Sequence, residues 1–283
     1  MTEAWLDAAW DTLKLIPFLL VTYLIMEYLE HRAAGKTQKL LRRAGKAGPL
    51  LGAAVGLFPQ CGFSAAAANF YAARLISRGT LLAVFLSTSD EMLPVLLSEA
   101  AGFSVIARIL GVKFLTGMTV GFLVDLADRK RKRASSSPEP QIHELCEQEH
   151  CDCQAGVIAS ALRHTGRIAA FLFLASGILN LVILYVGEEN LGAFMQSLPV
   201  FSVMLTALAG LIPNCAPSVI MTELYLQGAL GFGAAMAGLL VGAGVGVLVL
   251  FRMNRDRRDN GKLVGILYCA GVTVGLLLEF FVK

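Results

Sequence analysis

The segment 56–61 has the sequence Gly-Leu-Phe-Pro-Gln-Cys, and the segment 210–215 repeats it as Gly-Leu-Ile-Pro-Asn-Cys. The offset of 154 residues (215 − 61) continues without a gap along most of the chain. Further identical pairs at this offset are Ser64 and Ser218, Tyr71 and Tyr225, Gly79 and Gly233, Gly117 and Gly271, and Gly121 and Gly275. The chain is therefore a duplicated unit, and in an apolar protein a duplication is typical of a transporter whose site lies between the repeats.

The composition is that of a membrane protein. The 283 residues are 56% hydrophobic and 16% charged, whereas an average soluble domain has about 25% charged residues. Several apolar stretches are close to the roughly 20 residues that a helix needs to cross a bilayer. They lie at about 13–30, 80–98, 104–126, 166–186, 233–251 and 263–282. The first stretch lacks a short apolar core followed by a small-residue cleavage site, so a removable signal peptide is not expected.

Two further apolar stretches, about 49–76 and 198–226, carry Pro, a polar residue and Cys near their middle. Irregular polar backbone is tolerated at membrane depth only where protein or a water-filled cavity shelters it. Each stretch is therefore either one interrupted helix or a re-entrant helical hairpin with Pro-Gln-Cys or Pro-Asn-Cys at its tip.

Basic segments distinguish these alternatives, because they remain on the cytoplasmic side of a membrane. The segments 31–48, 127–133 and 252–262 are basic, whereas the N-terminus and the turn near 187–190 are acidic. All three basic segments fall inside if 49–76 is a hairpin that does not cross. We therefore predict an all-α polytopic membrane protein of two inverted-topology repeats, each with three spanning helices and one re-entrant hairpin.

This topology predicts membrane repeat 1 over 1–127, a cytoplasmic linker over 128–160 and membrane repeat 2 over 161–283. Both termini then lie outside the inner (plasma) membrane of a bacterium. The expected partners are the lipid bilayer, the transported substrate and protons, and nucleic acid is not expected. A homodimer is left open.

The predicted linker carries a cluster of soft metal ligands. The cluster consists of His143, Cys146, His150, Cys151 and Cys153. Thiolate and imidazole suit zinc, cadmium, copper(I) or trivalent arsenic better than magnesium or calcium, and a reducing cytosol would keep the thiols free. The spacing matches no closed zinc-finger pattern, so we interpret the segment as a transient collector or sensor of metal. The alternative is an inert linker.

The apolar stretch 80–98 contains Ser-Thr-Ser-Asp-Glu at 87–91, about half-way along. Ionisable residues at bilayer depth are costly and are functional candidates by default. The corresponding segment 241–245 of the second half is Val-Gly-Ala-Gly-Val, so one repeat offers oxygen ligands and the other small residues. The candidate residues for a single substrate or proton site are Ser87, Ser89, Asp90 and Glu91. The alternative is that the two carboxylates only pair with Lys113 on the neighbouring span.

The two hairpins supply the remaining candidates. Amide and thiol side chains at the tips can contact a substrate, and each Pro leaves a backbone carbonyl without its donor. The predicted binding residues are Pro59, Gln60, Cys61, Ser64, Asn69, Asn214, Cys215, Ser218 and Glu223. Glu223 is a buried carboxylate unless it lies near the outer mouth, and the two Cys are alternatively small packing residues. Asp125 and Glu279 match at the offset of the repeat and are predicted to be solvated at span ends.

Three motifs of the chain carry a resemblance to a family. They are Pro-Gln-Cys-Gly-Phe-Ser at 59–64, Ser-Thr-Ser-Asp-Glu-Met-Leu-Pro at 87–94 and Pro-Asn-Cys at 213–215. They resemble the ten-helix heavy-metal exporter family, whose members are described variously as arsenic efflux proteins or manganese transporters. The resemblance covers nearly the whole chain, including a central loop with His and Cys. It implies export of a cation or metalloid without settling which one.

The sequence thus predicts a secondary transporter without enzyme activity that exports a divalent metal cation or a metalloid. Alternating access would operate at a site between the hairpin tips and the 87–91 segment. No Walker sequence is present, so proton exchange is the expected energy source. Oxygen donors favour manganese and thiols favour zinc-like ions, and no cofactor beyond the transported ion is expected. The alternatives are an organic anion or organoarsenical permease and a membrane metal sensor.

Overall fold

A computed structural model describes residues 47–58, 61–89, 92–132, 199–214 and 216–281, together with some positions within 5–24 and 161–178. The regular elements in these ranges are α-helices. In the first half they are α1 (Gly48–Gly56), α2 (Cys61–Ala72), α3 (Arg78–Ser87), α4 (Met92–Ser98) and α5 (Phe103–Lys132). In the second half they are α6 (Pro199–Gly210), α7 (Ala216–Leu226), α8 (Phe232–Val241), α9 (Gly246–Met253) and α10 (Arg257–Phe281).

The helix order repeats at the offset found in the sequence. The pairs α3 and α8, α4 and α9, and α5 and α10 begin 154 residues apart (232 − 78, 246 − 92 and 257 − 103). Four stretches are long and apolar enough to cross a membrane, namely Arg78–Leu97, Phe103–Asp128, Phe232–Met253 and Arg257–Phe281. The predicted duplication and the predicted all-α membrane class are both confirmed for the described residues.

Two of the predicted spans are broken near their middle. The stretch 80–98 was expected to be one helix, but α3 ends at Ser87 and α4 begins at Met92. The stretch 233–251 is divided in the same way into α8 and α9, and Gly244 in this break has a φ of 53°, which glycine adopts without the steric cost of a side chain. The expectation of continuous helices is therefore wrong at both places, because a hydropathy window averages over a short break.

Each broken helix packs between two neighbours from its own half. α3 contacts α1 and α5, and α8 contacts α6 and α10. A β carbon on Gly52 of α1 would lie 2.9 Å from the carbonyl oxygen of Thr80 in α3. In the second half, the Thr206 hydroxyl of α6 donates to the carbonyl of Ala234 in α8 at 2.7 Å. The broken helix is therefore packed between corresponding helices in the two halves.

Matched glycines allow the closest of these approaches. A β carbon on Gly121 of α5 would lie 2.6 Å from the carbonyl oxygen of Gly79 in α3, and one on Gly275 of α10 would lie 2.8 Å from that of Gly233 in α8. Real β carbons do not come this near to a backbone oxygen. Small residues let helix backbones approach closely in membranes, which explains why these glycines recur in both halves.

Two carboxylates at matching positions, Asp125 and Glu279, cap the first turns of α3 and α8. The Gly79 amide donates to Asp125 Oδ1 at 2.9 Å, and the Gly233 amide donates to Glu279 Oε2 at 2.9 Å. The first amides of a helix lack intrahelical partners, and a carboxylate at that position is also favoured by the helix dipole. Asp125 is only 8% exposed. The prediction of a solvated carboxylate is therefore wrong for Asp125, whereas Glu279 is partly buried and caps α8 in the same way.

The helix α10 runs between two ends of the bundle. We call them the Arg78 end and the Phe232 end, after the first residues of α3 and α8. At the Arg78 end, the first turn of α10 contacts the start of α3 through the ion pair between Arg78 and Asp259. At the Phe232 end, the last turns of α10 reach the start of α8 through Glu279. Asp259 and Glu279 are separated by about 30 Å along a helix that rises 1.5 Å per residue.

Substituting Gly275 by Ala tests the close approach of α8 and α10. The new methyl group would overlap the Gly233 carbonyl and the Ala237 side chain, so we expect a loss of about 1–3 kcal/mol from overpacking. Gly265→Ala on the same helix is the matched control, because nothing lies within 4 Å of its added β carbon. Thermal unfolding in detergent should give a lower midpoint for Gly275→Ala alone. Equal midpoints for both variants would contradict the packing described.

Candidate functional site

The two halves contact each other through the arms that follow the Pro-containing segments. α2 packs on α9, and α7 packs on α4, so each arm meets the broken helix of the other half. A β carbon on Gly246, at the start of α9, would lie 2.7 Å from the β carbon of Ser64 in α2 and 3.0 Å from the Phe85 ring in α3. Ser64 therefore lies where elements of both halves meet beside the helix breaks.

The break after α3 is lined by three buried hydroxyls, those of Ser87, Thr88 and Ser89. Ser87 Oγ donates to the carbonyl of Ala83 at 2.7 Å, and Thr88 Oγ1 donates to that of Val84 at 2.7 Å. The carbonyl of Val84 is one of the last four of α3, which have no intrahelical donor, so the Thr88 hydroxyl proton satisfies it. Each hydroxyl oxygen retains lone pairs and is still able to act as a ligand.

The same break is tied to α1. The Ser89 amide donates to the carbonyl of Gly56 at 3.2 Å, and Ser89 Oγ donates to the Ser87 carbonyl at 3.3 Å. Gly56 is the last residue of α1, so its free carbonyl and the extended backbone after α3 satisfy each other. The predicted candidates Ser87 and Ser89 thus lie at a buried break between helices, where the sequence had placed them within a continuous span.

The break after α8 has a different chemistry. Its residues Gly242, Ala243 and Gly244 carry no hydroxyl. Lys113 of α5 reaches it instead, and its ammonium donates to the carbonyl of Leu239 in the last turn of α8. Lys113 is 1% exposed. The fully buried lysine therefore joins a helix of the first half to the broken helix of the second.

The described polar candidates of the two hairpins are mostly buried. Ser64 and Asn69 of α2 and Ser218 of α7 lie inside the protein. Asn214 is also buried, and its Oδ1 accepts a hydrogen bond from the Ala216 amide at 3.0 Å. That oxygen caps the start of α7, which is the usual task of Asn before a helix.

Glu223 is exposed near the end of α7. The described side chain is therefore not a buried carboxylate, and its location at the outer mouth stays a prediction. Thr222, its neighbour, is 1% exposed and donates to the Ser218 carbonyl at 2.7 Å. Sequence reasoning did not single out Thr222, because a threonine within an apolar helix usually bonds its own backbone.

Several predicted residues lie outside the part of the chain that the structure describes. They are Pro59, Gln60, Asp90, Glu91 and Cys215, the side chain of Cys61, and the linker residues His143, Cys146, His150, Cys151 and Cys153. Their roles, and the alternative pairing of Asp90 and Glu91 with Lys113, stay predictions. Among the described residues, no group of three or more His, Cys, Asp or Glu side chains could hold a metal ion.

A polar cluster joins the two halves at the Arg78 end. Arg78 Nη2 lies 2.6 Å from Asp259 Oδ1, and Arg78 Nη1 lies 3.3 Å from Asp128 Oδ1. The Tyr71 hydroxyl also donates to Asp259, and Asn254 Nδ2 donates to it at 3.2 Å. We call Tyr71, Arg78, Asp128, Asn254 and Asp259 the Arg78 cluster. It connects α2, α3 and α5 with the first turn of α10 and with the segment between α9 and α10.

The matching positions at the Phe232 end carry aromatic and apolar residues. Phe232 corresponds to Arg78, and its ring lies 5.7 Å from that of Tyr225, the counterpart of Tyr71. The guanidinium carbon of Arg108 lies 6.0 Å from the Phe232 ring centroid, a distance at which a cation is attracted to the ring face. One end is therefore joined by charged groups and the other by aromatic rings.

The sequence analysis missed the Arg78 cluster. Each of its members is an ordinary boundary residue when taken alone. The available signal was the comparison of matched positions, where the offset pairs Arg78 with Phe232 and Asp259 with Val105. A charged residue that is present in one repeat and absent at the matching position of the other indicates a difference in function between two otherwise similar halves.

Comparison with known families agrees with this architecture. A family model described as "Putative, 10TM heavy-metal exporter" matches residues 3–160 and 134–247. The chain belongs to this family. The match supports a multi-pass membrane protein that acts in metal efflux, as the motifs at 59–64, 87–94 and 213–215 implied. Neither the search of curated proteins nor that of solved structures gave a match.

A double-mutant cycle tests whether the Arg78 cluster couples the two halves of this exporter. Arg78→Gln and Asp259→Asn should each lower the unfolding midpoint, because each leaves a partly buried charge without its partner. The double variant should lose less than the sum of the two single losses, since contacting residues are not additive. Arg258→Gln is the control, because Arg258 is exposed on the first turn of α10. Strictly additive losses would contradict the coupling.

Proposed function

We propose that the protein is a secondary transporter that exports a divalent metal cation or a metalloid through one site between its two halves. The observation that carries this proposal is the pair of broken helices. α3–α4 and α8–α9 are interrupted at matching positions, and an arm of the opposite half packs on each. Broken helices that meet at the interface of two repeats are the usual setting of an ion site in secondary transporters.

The course of α1 and α2 supports a re-entrant hairpin. α1 begins with Gly48 beside Thr80, near the start of α3, and ends with Gly56 beside Ser87, at the break. α2 then runs back. Ser64, in the first turn of α2, lies beside the break. Tyr71, in its last turn, contacts Arg78 at the start of α3.

The second half repeats this course at the other end of the bundle. The arm α7 ends with Tyr225 beside Phe232, at the start of α8. The turns after α2 and after α7 therefore lie near opposite ends of α10, where Asp259 and Glu279 contact the starts of α3 and α8. We infer that the repeats have inverted topology and that the hairpins enter the membrane from opposite faces.

The basic residues support an orientation. The exposed basic side chains around the start of α10 are Arg252, Arg255, Arg257, Arg258 and Lys262. Positively charged segments remain in the cytoplasm, so the Arg78 end is assigned to the cytoplasmic face. The linker over 128–160 follows α5 at that end and is then cytoplasmic, whereas both termini are outside the inner membrane of a bacterium.

The ligand set bears on the transported ion. Buried hydroxyl and amide groups of Ser64, Asn69 and Ser89, together with the predicted carboxylates Asp90 and Glu91, are the hard oxygen donors that manganese prefers. The thiols of Cys61, Cys215 and the linker favour zinc-like ions. A carboxylate in the site would release its proton when a cation binds, which provides for exchange against protons.

The Arg78 cluster supports a gate on the cytoplasmic side. Its ion pair joins the start of α3 to the start of α10 and closes the path between the halves at that end. Inward opening of an alternating-access transporter requires these groups to separate. Water would then have to replace the ion-pair contacts of both groups, including those of the Asp259 carboxylate, which is 8% exposed while the pair is formed.

One observation favours the organic anion or organoarsenical permease as the second candidate. Lys113 places a positive charge within the bundle, beside the break of α8. In such a permease the ammonium would attract the anion, and Asp90 and Glu91 would only carry protons. A cation exporter instead needs the carboxylates themselves as ligands.

Uptake into everted membrane vesicles driven by a pH gradient tests the proposal. Manganese, zinc, cadmium, arsenite and an aromatic arsonate are offered separately. Asp90→Asn and Glu91→Gln keep the shape of the side chains but remove their charges. Loss of a charged ligand that contributes about 1.5–3 kcal/mol corresponds to roughly 10–100-fold weaker uptake of the cation. The control is Glu99→Gln, because Glu99 is exposed just after α4.

Each other outcome points to a different function. Uptake of the arsonate that survives Asp90→Asn would contradict a cation site and favour the permease. A complete lack of transport for every substrate, with zinc bound by the purified protein, would favour the membrane metal sensor. Loss of folded protein along with transport would indicate that the carboxylates only neutralise Lys113.

A further inference from the structure

Lys113 occupies a position that is unusual for a charged side chain. It lies on α5, eleven residues into a helix that is apolar enough to cross a membrane, and it is fully buried. Its ammonium donates to the carbonyl of Leu239, three residues before the break that follows α8. A buried ammonium is costly unless groups of opposite polarity surround it. The end of a helix, with its free carbonyls and partial negative charge, is such a group.

Comparison of the two halves shows why a donor is needed there. At the matching end of α3, the hydroxyls of Thr88 and Ser89 donate to the carbonyls of Val84 and Ser87, which belong to the last turn of the helix. The break after α8 consists of Gly242, Ala243, Gly244 and Val245, whose side chains have no such donors. The counterpart of Lys113 at the repeat offset is Leu267, so the amine exists only where the hydroxyls are missing.

We propose that Lys113 is a tethered cation at the carbonyl end of α8. The carboxyl ends of half-helices bind free cations in secondary transporters. Here the Lys113 ammonium occupies the position that such a cation would take. Lys113 therefore determines specificity, because it closes the second break to free ions and leaves the first as the single cation site. The inference deepens the proposed transport function and rests on it, but the charge at α8 is testable without transport.

The test compares variants of the purified protein in detergent by thermal unfolding. Lys113→Ala removes both the charge and the stem, and Lys113→Met keeps the stem without the charge. Each should lower the midpoint by roughly 5–10 °C, as expected for the loss of a buried charged partner. Lys113→Arg keeps the charge and should lose less. Lys262→Ala is the control, because Lys262 is exposed on α10.

Restoring the stability of Lys113→Ala with small cations tests whether the space left by the lysine is a cation-binding site. Ethylammonium chloride should restore the midpoint of Lys113→Ala, whereas tetraethylammonium chloride at equal ionic strength and ethanol should not. Sodium or potassium should also stabilise this variant more than the unchanged protein. Lys113→Met should respond to none of them, because its side chain fills the space.

The opposite results overturn the inference. If Lys113→Met is as stable as the unchanged protein, the lysine contributes packing and not charge. If ethanol restores the midpoint of Lys113→Ala as well as ethylammonium does, the end of α8 is not a cation-binding site. Should Lys113→Ala fail to fold, the comparison of Lys113→Arg with Lys113→Met decides, and equal stabilities would refute the role of charge. Rescue by ethylammonium in a protein that transports no ion would refute the proposed function alone.

Discussion

The free carbonyl groups at the ends of two broken helices are the constraint on which the rest of the structure depends. Hydrocarbon supplies no water to satisfy them, and an unsatisfied backbone group costs several kcal/mol. α3 obtains donors from hydroxyls in its own break, and the Ser89 amide in that break donates to the carbonyl at the end of α1. α8 obtains one from Lys113, on a helix of the other half. The breaks are therefore fixed by the chain itself, and they place hydroxyl and carbonyl oxygens where elements of the two halves meet.

The scaffold around these breaks is built twice from the same contacts, and its chemistry differs between the copies. The glycine pairs that join α3 to α5 and α8 to α10 recur, as do the carboxylates that cap α3 and α8. The positions that differ carry the charges: Arg78 corresponds to Phe232, and Lys113 corresponds to Leu267. In the proposed transport mechanism, the equal scaffolds would provide two related conformations of opposite opening, and the unequal side chains would provide one site and two different gates.

Much of the scaffold could be predicted from the sequence. The duplication, the apolar stretches and the interruptions after α1 and α6 follow from residue patterns that local physics explains. The break after Ser87 was missed because a few hydroxyl-bearing residues lower the mean hydropathy of a long window too little to mark the end of a helix. The Arg78 cluster was missed because its members are far apart in the chain and become neighbours only through packing of the two halves. Asp125 was misjudged for the same reason, since only the fold brings the start of α3 to its carboxylate.

Labelling of the two corresponding turns tests the central claim, the inversion of the repeats, most directly. Arg74→Cys in the turn after α2 and Ala229→Cys in the turn after α7 both place a thiol at an exposed position, in a variant whose six native cysteines have been replaced. With a membrane-impermeant maleimide, intact cells should label only Ala229→Cys, and everted vesicles should label only Arg74→Cys. Reaction of both cysteines from the same face would contradict the inverted repeats and the alternating-access site built on them.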